Sequence, residues 1–329
     1  MTDHSSALQQ LANTELQPII QELYARRNRL RTRIIVSTLV IGLLAMTLGL
    51  VLINFLGEFG FFIVLVASVG GWFWYNSSEI SAYKAKFKVE VMPRLISIVD
   101  PSRTYDPNRG ISQSAFLASG IYRQGIDRYS YEDYFTGSVG ETAFSFSEVH
   151  AEYKTESTDS KGNRQTQWHT IFKGLFFIAD FNKNFQGETY LLPDRVEGWG
   201  GFGRWLQEVG SKMDSRPGEL VKLEDLEFEK LFKVYSTDQI EARYILSTSL
   251  MQRLTAFRKQ VNSDIAISFV NSNINIAISS NRDRFEPPGI FWGPGMLTLE
   301  MLEEHLRDIK LAEAVVQELN LNLRIWTKQ

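Results

Sequence analysis

The chain has 329 residues and a formal net charge of −3, so no global attraction to nucleic acid is indicated. It contains no cysteine, which excludes disulfides, thiolate metal sites and a cysteine nucleophile. With 44% hydrophobic and 12% aromatic residues it has ample material for a packed core.

Residues 1–33 form a polar arm. Within residues 5–33, Leu8, Leu11, Leu16, Ile19, Ile20, Leu23 and Tyr24 recur at helical spacing, predicting an amphipathic helix. Pro18 predicts a break near Gln17. Such a helix packs on the rest of the chain or a second copy, or lies on a bilayer surface. Arg26, Arg27, Arg29, Arg31 and Arg33 then crowd against an apolar run. Basic residues in that position hold a span on the cytoplasmic side and attract anionic head groups.

Residues 34–75 read as a transmembrane helical hairpin. Ile34–Leu56 and Phe59–Tyr75 carry no charged residue and are separated by Gly57-Glu58. As helices they are about 35 Å and about 25 Å long, against a hydrocarbon core of about 30 Å. Trp72, Trp74 and Tyr75 close the second run as interfacial aromatics do. A signal peptide fits poorly, because its apolar core would be too long and no small-residue cleavage pattern follows. Lys84, Lys86 and Lys88 follow the second run, so both outer flanks are basic. This predicts a multi-pass protein of the cell's inner membrane with both termini in the cytoplasm. The lipid bilayer is the expected partner.

Residues 76–128 are expected to be a helical connector. Ile80, Tyr83, Phe87, Val91, Leu95 and Ile98 continue a helical stripe, with Pro93 kinking or restarting it. Ser112 or Ser114 can cap a short helix running to about Tyr122. Residues 129–329 are expected to be an α+β domain. Thr142–Lys154 and Thr166–Phe181 are rich in aromatic and β-branched residues around a polar turn at 156–165, predicting a long hairpin with a mobile tip. A short strand is predicted at Glu188–Leu192 and another at Phe232–Tyr235. A helix capped by Thr237 or Asp238 should run on through Phe257. Ile265–Val270 and Ile274–Ile278 predict a second hairpin, Leu299–Leu319 a last helix, and Leu321, Leu323 and Ile325 an edge strand. Short hairpins mixed with a few helices indicate a mostly antiparallel α+β fold.

Several stretches carry a resemblance. They are VMPRLISIVDP at 91–101, DRYSYEDYFTGSVGETAFSFSEVHAEYKT at 127–155 and WHTIFKGLFFIADFNKNFQGETYLLPD at 168–194, then FEKLFKVYSTDQIEARYILS at 228–247 and ELNLNLRIW at 318–326. Together they resemble the bacterial family DUF3137. The resemblance implies a membrane-tethered α+β domain and brings no activity, cofactor or site residue with it.

Three groups of residues are candidates for function. The histidines His150 and His169 flank the hairpin turn and should lie nearly opposite each other, with Glu148 on the His150 face; two histidines and a carboxylate are a possible zinc set. The aromatics Trp199, Phe202, Trp205, Phe291 and Trp292 form candidate contact surfaces. The Gly198–Trp205 stretch lacks the preceding strand and the Lys-Ser/Thr of a phosphate loop. Carboxylate pairs such as Glu132-Asp133 are adjacent in sequence and should diverge. No Gly-x-Ser-x-Gly elbow occurs, and nothing calls for a cofactor. The leading expectation is therefore a membrane-tethered binding or scaffolding domain with an unidentified protein partner or a second copy. Its rivals are a membrane-bound hydrolase or metalloenzyme using His150 and His169, and a lipid head-group binder.

Overall fold

A computed structural model of the chain describes residues 2–158, 162, 164–181, 185–193, 218–292 and 296–318. These residues divide into two compact units, one of Met1–Val99 with Phe285–Leu306 and one of Asp100–Arg284 with the chain from Arg307 onward.

The first unit is helical: α1 (Thr2–Thr14), α2 (Leu16–Leu56), α3 (Glu58–Glu90) and α4 (Met92–Val99). The break falls at Glu15, so Pro18 lies in the first turn of α2. There its missing N–H forfeits no intrahelical bond, which is why the fault moves upstream of the expected position. Likewise α3 ends before Val91 and Pro93 sits in the first turn of α4. Helices α2 and α3 are joined at Gly57, whose φ of 63° lies in the left-handed region. A Cβ on Gly60 would come within 2.9 Å of the Leu52 carbonyl, so the two helices close tightly beside the turn. At their other end polar clasps join them. Trp72 Nε1 donates to Thr38 Oγ1 at 2.9 Å, and the fully buried Asn76 donates to Ser37 Oγ at 3.2 Å.

The second unit is built on one nine-stranded antiparallel sheet. Its strands are β1 (Thr104–Asp106), β2 (Arg128–Val139), β3 (Thr142–Thr158), β4 (Arg164–Asp180), β5 (Thr189–Pro193), β6 (Glu219–Val221), β7 (Phe232–Ser236), β8 (Ile265–Val270) and β9 (Asn273–Ser279). They lie in the order β1-β2-β3-β4-β9-β8-β5-β7-β6. The α+β class expected from the sequence is what the chain adopts. Strands β3 and β4 run to Thr158 and from Arg164, so both ends of the stretch expected to be a polar turn are strand. Beyond Glu152 and Thr170 these two strands pair only with each other.

The helices of this unit are α5 (Gln113–Ala118), α6 (Leu226–Glu229), α7 (Gln239–Ile245), α8 (Thr248–Val261) and the part of α9 (Leu299–Glu318) that follows Leu306. Helix α5 is capped by Ser112 and ends short of Tyr122. Its Phe116 seats against the sheet, stacked on Tyr122 at 5.1 Å and tilted on Phe176 at 4.8 Å. Val149, Ala151 and Phe172 belong to the same core. The helix expected to run unbroken through Phe257 is two helices. Ser247 accepts the Leu250 N–H and starts α8 afresh, a local side-chain bond that outcompetes helix continuation. Strands β8 and β9 turn through Asn271 and Ser272, whose φ values of 53° and 59° suit a tight hairpin. The expected edge strand at Leu321–Ile325 lies outside the described residues.

Candidate functional site

The strand pairing separates the two histidines. His150 faces Lys173 across the β3–β4 ladder, and His169 faces Tyr153. Ile171 is an extra residue on β4 between the pairs Ala151–Phe172 and Glu152–Thr170. A bulge of this kind flips every later side chain to the other face. His169 therefore stacks on Tyr153 at 4.9 Å and bonds Thr155 at 2.8 Å, on the face opposite His150. The expected His150, His169 and Glu148 zinc set is not assembled, because register and bulge both work against it.

A second bulge builds a different constellation. On β2 the pairing jumps from Glu132–Glu148 to Phe135–Phe146, so Asp133 and Tyr134 together oppose Ser147. Asp133 takes a φ of 58°, a conformation that Asp adopts more readily than most residues. Its N–H donates to the Pro107 carbonyl at 3.3 Å. Instead of pointing away from Glu132, Asp133 converges with it: carboxylate oxygens of Glu132, Asp133 and Glu148 all lie within 4.8 Å of one another. The expected divergence of Glu132 and Asp133 is corrected by this bulge.

Glu148 is held by a backbone N–H. It is nearly buried, and its Oε1 accepts the Arg284 backbone N–H at 2.6 Å. Burial pushes its carboxyl pKa up to about 8; the Arg284 N–H pulls it down, and the nearby Asp133, Glu132 and Asp283 push it up further. At neutral pH Glu148 therefore holds its proton. Asp133 accepts a 2.5 Å bond from the Tyr105 hydroxyl. Beside the carboxylates opens a cavity of about 190 Å³ lined by Glu132, Glu148, His150, Lys173, Gly174, Arg282 and Asp283. Lys173 is tied to Asp283 at 2.9 Å, and the His150 Nε2 lies 3.7 Å from Glu152. Gly174 makes the wall: its φ is 148°, and a Cβ there would overlap the Ile278 carbonyl oxygen.

This arrangement offers a neutral carboxyl as hydrogen-bond donor and two further carboxyls as acceptors. An all-oxygen set suits a hard cation, which would have to displace the Glu148 proton. It is not a nucleophile–base pair, since Ser130 Oγ reaches the His150 carbonyl, at 3.5 Å, rather than its ring. The bulge shows in the packing: Tyr129 and Tyr134 are an odd number of residues apart yet pack on the same core, which strict alternation forbids.

The other candidates are scattered. Trp199, Phe202 and Trp205 lie outside the described residues. Phe291 and Trp292 are exposed in the first unit, Trp292 at 85%. Among the basic residues flanking the two apolar runs, Arg26 and Arg33 bind Glu79 at 3.5 and 3.2 Å, and the buried Arg27 donates to the Gly289 carbonyl at 2.8 Å. Lys84 and Lys88 bind Glu286 at 2.8 and 3.1 Å, and Lys86 bridges Glu22 and Glu90. Arg29 and Arg31 are exposed and make no hydrogen bond or ion pair with the described residues.

Comparison with known families and proteins bears on a single region. Residues 170–321 match the family model DUF3137, a protein of unknown function, in agreement with the resemblance seen in the sequence. No curated protein and no solved structure matches the chain.

Proposed function

We propose that this chain is a membrane-anchored binding protein, with α2 and α3 spanning a bilayer and the sheet unit held at its cytoplasmic face to engage a protein partner or a second copy. The observation that carries the reading is the apolar surface of α2 and α3. Leu39, Leu43, Phe55, Phe59 and Trp74 are each more than 60% exposed. The most apolar windows of the two long helical stretches are only 17% and 11% buried. Soluble monomers rarely expose contiguous apolar patches larger than a few hundred Å². A core helix of a soluble protein would bury the same residues, and these are not buried. Basic residues on both outer flanks favour the cytoplasmic orientation. The separation of His150 from His169 leaves the metalloenzyme alternative without its ligand set.

The natural absence of cysteine makes the test clean. Single variants Glu58→Cys and Ser102→Cys are exposed to a membrane-impermeant maleimide in intact cells. Glu58→Cys should label from outside, and Ser102→Cys only after permeabilisation. Labelling of Ser102→Cys in intact cells, or release of the chain by alkaline carbonate, refutes the reading.

A further inference from the structure

The first unit contains a groove whose two ends differ in chemistry. It runs along α2 with a volume of about 810 Å³. Arg29, Thr32 and Arg33 line one end, and Val36, Val40 and Ile41 line the other. Its side is closed by Tyr75, over whose ring the Arg33 guanidinium sits at 4.1 Å. Arg33 is also fixed by a 2.8 Å bond to the Tyr75 carbonyl and by Glu79. It therefore forms a rigid wall, with its charge already engaged. Arg29 differs: it is exposed, lines the groove and makes no hydrogen bond or ion pair with the described residues, its charge acting on Glu22 only at longer range.

From Arg29 to Ile41 the helix rises about 18 Å. One leaflet of a bilayer contributes about 15 Å of hydrocarbon, with the phosphate just outside it. The groove thus changes from cationic to apolar over the distance at which a phospholipid changes from phosphate to acyl chain. A general basic flank would attract head groups diffusely and would need no groove. A cationic mouth above a mostly apolar trough, interrupted only by Ser37, fits one molecule.

We propose that this groove is a seat for a single anionic phospholipid, its phosphate on the Arg29 guanidinium beside Thr32 and one acyl chain along Val36, Val40 and Ile41. The seat rests on the membrane-anchored reading above. Its charge complementarity selects an anionic lipid, and its apolar floor distinguishes a lipid from free phosphate. Arg29 is the discriminating contact, and Tyr75 with its stacked Arg33 holds the chain against α2.

The test is native mass spectrometry of the full chain released from mild detergent, with added phosphatidylglycerol or phosphatidylcholine. One phosphatidylglycerol should remain bound after the bulk lipid is stripped. Arg29→Gln should weaken its retention about tenfold, as expected for loss of one charge-assisted phosphate contact. Val40→Trp, which fills the trough, should weaken phosphatidylglycerol and phosphatidylcholine alike, and excess inorganic phosphate should not displace the lipid. Equal retention of the two lipids by the wild type, unchanged retention in both variants, or displacement by phosphate overturns the proposal. Resistance to alkaline carbonate is measured on membranes from the same cells before detergent is added. A chain that resists carbonate but holds no lipid loses the seat alone, whereas a chain released by carbonate loses the anchor as well.

Discussion

Replacing Glu148 by Gln removes the proton that the carboxylate cluster retains, while leaving an oxygen to accept the Arg284 N–H. Burial raises the Glu148 pKa from 4.5 to about 8, so the folded chain holds this proton more tightly than the unfolded chain. The stability this gives is fully present below about pH 4.5 and is lost as the pH rises through about 8. At about 1.36 kcal/mol per pH unit, ionising Glu148 between pH 5 and pH 9 removes about 4 kcal/mol. For a unit of this size each kcal/mol moves Tm by about 2–4 °C, so the wild type should lose about 8–16 °C more than Glu148→Gln over that interval. The assay is thermal unfolding of the full chain in mild detergent, followed by the β-sheet circular dichroism signal at pH 5, 7 and 9. Titrating groups remote from Glu148 are common to both chains and cancel, whereas Glu132, Asp133 and Asp283 couple to it and belong to the difference being read. At pH 9 the variant should be the more stable protein. Parallel pH dependences of the two chains would refute the argument, because they would mean that Glu148 ionises in the fold as it does in water.

Two more substitutions probe how the site is built. Gly174→Ala places a methyl group on the Ile278 carbonyl at a φ that side chains rarely adopt, and should destabilise the β4–β9 pairing by about 3 kcal/mol or more. Faster limited proteolysis of the full chain reads this out, and wild-type resistance would contradict it. Ser247→Ala removes the cap that starts α8 and should cost about 1 kcal/mol, seen as a Tm lower by about 2–4 °C.

The sequence displayed most clearly what repeats. The β3–β4 and β8–β9 hairpins alternate around polar turns, and the apolar lengths of α2 and α3 exceed any other run. What it hid are single-residue interruptions. Ile171 looks like any β-branched strand residue, yet as an extra residue in the ladder it sends His169 to the other face of the sheet. Asp133 looks like an ordinary strand break, yet its bulge brings a third carboxylate to the Glu132–Glu148 pair, from which alternation would have turned it away. Both are properties of pairing, which depends on the partner strand and is not written in either strand alone. Ser247 was legible in kind, since Ser is a favoured cap, but the intact helical stripe from Ile240 to Phe257 masked it. Strand β1 spans only three residues, too few for a period to register.

The far end of the β3–β4 hairpin has a consequence for motion. Past Glu152 and Thr170 the ladder has lost its neighbours on both sides, so its rungs are held by two strands instead of four. Two-stranded ribbons are marginal in water, and this one is reinforced by the Tyr153–His169 stack and by Arg128 lying 3.9 Å over Trp168. Its opening breaks no hydrogen bond of the central strands. Amide protons there should exchange by local fraying, while those of Phe176, Phe177 and Ile276 should wait for the whole sheet to open, which hydrogen exchange would read directly. The same two strands are thus a rigid plate at one end and an independently breathing arm at the other.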